Sequence, residues 1–207
     1  MSYAKLLIVV FAIMVAFIVV NNSGQTKTVT SPTTLIIPDY TTMPAEEQQF
    51  ISVINEYADA CKKAKNELQE LALRDQRIDA LAQVLNNNRR IKTWHGTIDA
   101  LGTNTEGDAF LSVKIDPNIS INTSRLILDG RLPIAMTTEI KKGDPIFQSL
   151  FNLQRGDIIT FSGSFLPPQI YPGTTAHDYI DEFVVSNQES MTEPEFVFRF
   201  SSVNKIP

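Results

Sequence analysis

The sequence predicts an α+β protein in which a membrane-spanning segment and a long helix precede a small β-barrel. Three observations predict this order: an unbroken apolar run near the N-terminus, a stretch without Gly or Pro from Ala45 to His95, and apolar residues at every second position after it. The predicted regions are a membrane anchor over 1–22, a flexible linker over 23–44, a helix over 45–90 and a β domain over 91–207.

The apolar run covers Leu6–Val20 and follows a single charged side chain, Lys5. As a helix it rises only about 22 Å, so we expect the bilayer contact to extend over residues 3–22 to approach the ~30 Å hydrocarbon core. A cleaved signal peptide has a similar pattern but ends in small residues one and three positions before the cut. No cut site after Val20 would have small residues at both of these positions. The sequence therefore favours an uncleaved anchor.

The charges around this run predict its orientation. Lys5 precedes the run, and Lys27 is the only cation in the twenty residues that follow it. An excess of positive charge before a span favours a cytoplasmic N-terminus. We therefore expect a single-pass protein of the inner (cytoplasmic) membrane with its C-terminal domain outside the cytoplasm, in the periplasm of a Gram-negative bacterium. The linker over 23–44 is rich in Thr, Ser, Asn and Pro, a composition typical of a tether.

The predicted helix over 45–90 begins after Pro44 and has Glu46 and Glu47 in its first turn, where acids face the positive end of the helix dipole. Residues 86–88 are all Asn and end it, because Asn tolerates the left-handed conformation. The apolar residues are spaced by alternate steps of four and three, as in a heptad repeat. They are Phe50, Ile54, Tyr57, Cys61, Ala64, Leu68, Leu71, Ile78, Ala82 and Leu85.

This apolar stripe is compatible with two structures. One is a coiled coil through which the chain associates with itself, and the other is a helix that packs the stripe on its own domain. Arg74, Asp75 and Arg77 interrupt the stripe, and charged residues in such positions face either solvent or a partner. Cys61 is the only cysteine, so the chain forms no internal disulfide.

After the helix the apolar period changes to two, which predicts half-buried strands. Asp144 and Pro145 announce a short helix that carries Ile146, Phe147, Leu150 and Phe151. Three strands, a short helix and two more strands is the order of a five-stranded OB-type barrel; the alternative is an open antiparallel sheet with the long helix across it. The residues predicted to share the inner face are Trp94, Gly96, Ile98, Leu111, Val113, Ile115, Ile119, Ile121, Ile159, Phe161, Gly163, Phe165, Phe196, Phe198 and Phe200.

Four segments resemble an uncharacterised proteobacterial family of membrane-anchored proteins in which a helix precedes an OB-fold-like (tRNA-anticodon-binding-like) domain. They are Lys65-Asn66-Glu67-Leu68 through Arg77, Trp94-x-Gly96-x-Ile98, Gly156-Asp157 to Phe161-Ser162-Gly163, and Pro194 to Phe200. The resemblance covers most of residues 65–203 and is weaker over 123–140. It implies a location and a fold, and it supplies no activity to carry over to this chain.

The charge of the β domain argues against nucleic acid as a partner. From residue 91 onward the chain carries fourteen acidic residues and nine Lys plus Arg. Proteins that bind single strands in an OB groove need the opposite sign of charge to hold phosphates. We therefore expect a protein, a glycan or a small ligand, and no nucleic acid.

The sequence predicts a non-enzymatic, membrane-tethered adaptor that binds an envelope protein or associates with itself through the helix. The residues predicted to make contact are Trp94 and His95 on the first strand and the loop from Pro167 to Asp181. The alternative is an envelope hydrolase or a metal-dependent enzyme using the acidic group of that loop. This group consists of His177, Asp178, Asp181 and Glu182. Their spacing matches no known ligand signature, so we assign no catalytic residue, metal or cofactor.

Overall fold

A computed structural model describes residues 43–123, 138–168, 179–183 and 187–206, and these ranges contain four helices and six strands. The predicted anchor over 1–22 and nearly all of the predicted linker lie outside them. Within these ranges, no helix has the length and apolar character needed to cross a bilayer. The elements are α1 (Ala45–Cys61), α2 (Glu67–Val84), β1 (Arg90–Thr103), β2 (Ala109–Asp116), β3 (Ile119–Asn122), α3 (Pro145–Ser149), β4 (Ile158–Phe165), β5 (Glu182–Phe183), α4 (Asn187–Thr192) and β6 (Glu195–Lys205).

Five of the strands close into a barrel. β1 pairs with β2 and β4, β2 pairs with β3, and β4 pairs with β6, all antiparallel. The parallel pairing of β3 with β6 completes the ring, and the two-residue β5 adds to β6. α3 connects β3 to β4, as predicted. The structure confirms the α+β class and a closed, OB-like barrel in place of the open sheet.

Alternating apolar residues fill the barrel, because successive side chains of a strand point to opposite faces. Phe161, Phe198 and Phe200 pack with ring centroids 4.9 to 5.7 Å apart. Gly163 is required on β4, since an added Cβ would lie 2.1 Å from the carbonyl oxygen of Arg199 on β6. The predicted inner face is confirmed by the buried residues Trp94, Ile98, Leu111, Val113, Ile115, Ile119, Ile121, Ile159, Phe161, Phe165, Phe196, Phe198 and Phe200.

The predicted single helix over 45–90 is wrong, because the chain forms a hairpin of α1 and α2 with a turn at residues 62–66. The side chain of Asn66 starts α2 by accepting a hydrogen bond from the backbone N–H of Gln69 at 3.0 Å. A straight helix over 45–90 would extend about 69 Å, far beyond a small barrel. The hairpin instead buries half of the ten stripe residues within its own domain and leaves three half-buried, while Leu68 and Leu71 remain exposed.

The hairpin covers the end of the barrel where β1 and β6 begin and β4 ends. The ring of Phe50 on α1 lies 5.0 Å from Trp94, 5.4 Å from Phe165 and 5.5 Å from Phe196. Residues 86 and 87, both Asn, adopt left-handed conformations after α2, as predicted for the end of the helix. The chain then turns directly into β1, so that the hairpin packs on the strands that follow it.

Candidate functional site

Trp94 was predicted to contact a partner, but the structure places its side chain in the core and not on a surface. Its side chain is fully buried, between Phe50 of α1 and Phe165 of β4. Trp94 shares the inner face of β1 with Gly96 and Ile98, and α1 closes the barrel end above it. The alternation of apolar residues along the strand correctly predicted that the indole lies inside. In this position the indole has no surface that a partner could contact.

His95 points to the opposite face of β1 but lies beneath the start of α1. Glu47 of α1 is completely buried, and its two carboxylate oxygens accept the backbone N–H of His95 at 2.9 and 3.0 Å. The imidazole Nδ1 lies 3.5 Å from Oε2 of Glu47, and the His95 side chain is only 13% exposed. His95 therefore joins β1 to α1 and is not an open contact site.

Burial shifts the pKa values of both Glu47 and His95. Burial raises the pKa of the Glu47 carboxyl to about 8, and the hydrogen bond from the His95 N–H opposes this rise only in part. Burial also lowers the pKa of the His95 imidazole. Near neutral pH, Glu47 therefore keeps its proton and His95 is uncharged. No sequence pattern predicted this pair, because an acid in the first turn of a helix is ordinarily exposed.

The acidic group predicted for the alternative enzyme is only partly placed by the structure. His177 and Asp178 lie outside the described residues, and Asp181 and Glu182 are buried. Glu182 forms an ion pair with Arg77 of α2, with 2.6 Å between Oε2 and Nη2. In the described part of the chain, no three His, Cys, Asp or Glu side chains are arranged to hold a metal ion.

Arg77 was expected to face solvent or a partner, and the structure shows a third arrangement. Its side chain is completely buried, and its Nη1 donates to the carbonyl oxygen of Ser190 in α4 at 2.8 Å. Through its ion pair with Glu182, Arg77 also contacts β5. Arg77 thus ties the hairpin to the two segments that precede β6.

An apolar cleft of about 150 Å³ opens between α3 and the adjoining ends of β1 and β2. On its α3 side, the rings of Phe147 and Phe151 meet edge to face with centroids 5.6 Å apart. The side chain of Phe151 is 67% exposed. The sequence identified this apolar pair but not the cleft, which depends on how α3 meets the barrel. The lining residues are Leu101, Gly102, Thr103, Ala109, Phe147, Leu150 and Phe151.

Residues 104–109, on the strand side of the cleft, contact residues 139–141, which precede α3. Lys141 Nζ lies 2.6 Å from Asp108 Oδ2, and Asn104 Nδ2 donates to Glu139 Oε2 at 2.9 Å. The hydrogen bond from Lys141 holds the pKa of Asp108 below its usual value. Ala109, which lines the cleft, also forms a β-bridge with Ile140. These contacts fix the β1–β2 turn relative to α3, so the cleft is preformed.

Comparisons of the chain with protein-family models, with curated proteins and with solved structures found no match. The OB-like description of the fold therefore rests on the strand order and on the parallel pairing of β3 with β6. The resemblance to membrane-anchored proteins stays a prediction from the sequence, and the function is argued from the geometry of the barrel.

Proposed function

We propose that this chain is a non-enzymatic, membrane-tethered binding protein that holds its barrel outside the cytoplasm and takes an apolar side chain of an envelope protein into the cleft. The observation that carries the proposal is the preformed cleft beside the exposed Phe151. Large aromatic side chains next to a pocket are typical anchors of protein interfaces.

The size and lining of the cleft favour a single apolar group as its occupant. A cavity of about 150 Å³ lined by apolar side chains accommodates a benzene ring. The lining contains no charged residue, and Thr103 is its only side chain with a polar atom. An aromatic or leucine side chain therefore fits the cleft better than a charged one, which would lose its hydration there.

The tether is argued from the sequence. The run Leu6–Val20 and the charge of Lys5 support a span with the N-terminus in the cytoplasm. A barrel held at the outer surface of the inner membrane meets other envelope proteins at a raised effective concentration. This geometry suits an adaptor.

The hydrolase alternative receives less support than binding. A general base must reach the proton that it removes. Glu182 is buried and already engaged by Arg77, and Asp181 is also buried. The cleft, in contrast, is open and lined by groups that have no acid–base chemistry.

Two matched variants of the full-length, tagged protein test the proposed cleft. Phe151→Ser alters the cleft, and Leu68→Ser alters a similarly exposed apolar side chain on α2. The proteins are extracted gently from the native membrane, and the bound proteins are identified by mass spectrometry. We expect wild type and Leu68→Ser to retain the same stoichiometric partner and Phe151→Ser to lose it. Retention of that partner by Phe151→Ser would exclude the cleft.

Direct occupancy is tested with toluene as an analogue of a phenylalanine side chain. Methyl resonances of Leu101 and Ala109, which line the cleft, should shift on addition of toluene to the purified full-length protein. The same titration of Phe151→Ser should give weaker shifts. Unchanged methyl resonances in the wild type would show that the cleft does not accept an apolar group.

A further inference from the structure

The junction between α1 and β1 contains a buried carboxyl next to a buried imidazole nitrogen. Glu47 is 0% exposed, and both of its oxygens are directed at the backbone N–H of His95. The Nδ1 atom of His95 is buried, and no hydrogen bond to it is formed within the described residues. Its distance of 3.5 Å from Oε2 of Glu47 leaves room for a small closing movement that makes a hydrogen bond.

Several charged groups on the surrounding elements interact with residues other than Glu47 and His95. Burial and the charge of Glu46, the neighbour of Glu47 on α1, raise the pKa of Tyr179. The ring of Tyr179 lies 5.3 Å from the guanidinium carbon of Arg89. On β4 the residue paired with His95 is Thr160, which does not titrate. Several charged groups of the neighbouring elements have partners of their own: Arg77 forms an ion pair with Glu182, and Lys114 donates to the carbonyl oxygen of Pro117. Burial and the nearby charges of Glu189 and Glu193 raise the pKa of Glu195.

We propose that Glu47 and His95 share one proton, and that loss of this proton releases α1 from β1, so that docking of the hairpin is controlled by pH. In the docked state the carboxyl O–H of Glu47 donates to Nδ1 of His95, and the other carboxyl oxygen accepts the His95 N–H. When the proton leaves for solvent, the junction holds a carboxylate without a cation. A charge in an apolar interior must regain water, which requires α1 to move away.

The sign of the effect follows from the two pKa shifts. The folded pKa of Glu47, about 8, lies above its ordinary value of 4.5, so the stability that Glu47 contributes is complete below pH 4.5 and is lost as pH rises through 8. The pKa of His95 is lowered by burial, so its contribution is present above its ordinary value of 6.5 and is lost at acidic pH. Docking should therefore weaken on the alkaline side through Glu47.

Trp94 provides a natural reporter of this movement. It is the only tryptophan in the chain, it is fully buried, and its ring lies 5.0 Å from Phe50 of α1. Release of α1 exposes the indole to solvent. The emission maximum should then move to longer wavelength, and iodide should quench the fluorescence more strongly.

The experiment is a titration of full-length protein in detergent micelles from about pH 5.5 to about pH 9.5, followed by Trp94 emission and iodide quenching. We expect a transition near pH 8 in the wild type. Glu47→Gln should remove this transition, whereas Glu46→Gln, the adjacent acid, should keep it. His95→Leu removes the Nδ1 acceptor and should move the midpoint to lower pH, a shift that a purely structural role of His95 would not produce.

A transition that is unchanged in Glu47→Gln, or emission that stays constant over the titrated range, would overturn the proposal. Because Glu47→Gln could fail to fold, infrared spectroscopy of the wild type supplies a second test. A buried carboxylic acid has a carbonyl stretch distinct from that of a carboxylate. This band should be present near neutral pH and disappear in the same range as the Trp94 transition. Its absence from the folded protein near neutral pH would also refute the shared proton.

Discussion

The hairpin buries two glutamates against the barrel and neutralises them differently. Glu182 meets α2 through the guanidinium of Arg77 at 2.6 Å, and both side chains are buried. Within the described residues, Glu47 on α1 accepts the backbone N–H of His95 and lies beside its imidazole, and burial favours the neutral form of Glu47. Arginine side chains are not deprotonated in proteins, whereas a carboxylic acid exchanges its proton with solvent. We therefore expect the contact of α2 to persist at alkaline pH, where the contact of α1 weakens.

Arg77→Met is expected to give the largest effect, because it removes the guanidinium that pairs with the buried carboxylate of Glu182. Breaking a buried pair on one side costs about 3–5 kcal/mol in the free energy of unfolding. Urea denaturation at neutral pH measures this loss. The double variant Arg77→Met/Glu182→Leu should recover most of it, because neither charge remains. A single variant as stable as the wild type would show that the ion pair adds nothing to the attachment of α2.

Phe50→Ala tests the apolar part of the α1 contact. Phe50 is fully buried among Trp94, Phe165 and Phe196, and removal of such a ring costs about 3–4 kcal/mol. Phe151→Ala is the matched control, since an exposed ring should change stability by no more than about 0.5 kcal/mol. Equal losses in the two variants, measured by urea denaturation, would mean that α1 does not depend on the aromatic cluster.

The pH dependence of stability separates the two glutamates. Between about pH 6 and about pH 9 the wild type should lose about 2 kcal/mol of unfolding free energy through Glu47, less than the ~5 kcal/mol that its full pKa shift would give. Glu47→Gln should have a flatter profile and should be more stable than the wild type at the alkaline end. Denaturant titrations at several pH values measure both profiles. A steep alkaline loss that persists in Glu47→Gln would assign the pH dependence to another group.

The smallest effect on stability is expected at the start of α2. Leu68 is 78% exposed, so Leu68→Ser should alter the unfolding free energy by no more than about 0.5 kcal/mol. The association state of Leu68→Ser is more informative than its unfolding free energy. If the chain associates with itself through the exposed start of α2, sedimentation velocity will show a smaller species for Leu68→Ser than for the wild type. Identical sedimentation would exclude this surface as a self-association contact.

The strands were predictable because their signal is local. Leu111, Val113 and Ile115 alternate with polar residues over one short segment, and that alternation alone places them inside. Asp144 and Pro145 likewise predicted the start of α3. The order of these elements then favoured a closed barrel over an open sheet.

The turn of the hairpin and the buried charges were not predictable for a different reason. Residues 62–66 contain no Gly or Pro, so the local sequence did not predict that the helix ends there. Glu47 and Arg77 carry the charges that usually mark an exposed face. Their partners lie 48 and 105 residues further along the chain. Contacts at such separations leave no periodic pattern in the sequence.

The parallel pairing that closes the barrel has a consequence for the rate at which the protein unfolds. Ser120 and Glu195 are paired across this closure although 75 residues separate them, whereas the hairpin of α1 and α2 is local. Distant strands pair late in folding. Arg77 and Glu182 are 105 residues apart, so we expect them to meet late in folding. We expect substitutions in this pair to speed unfolding far more than they slow folding.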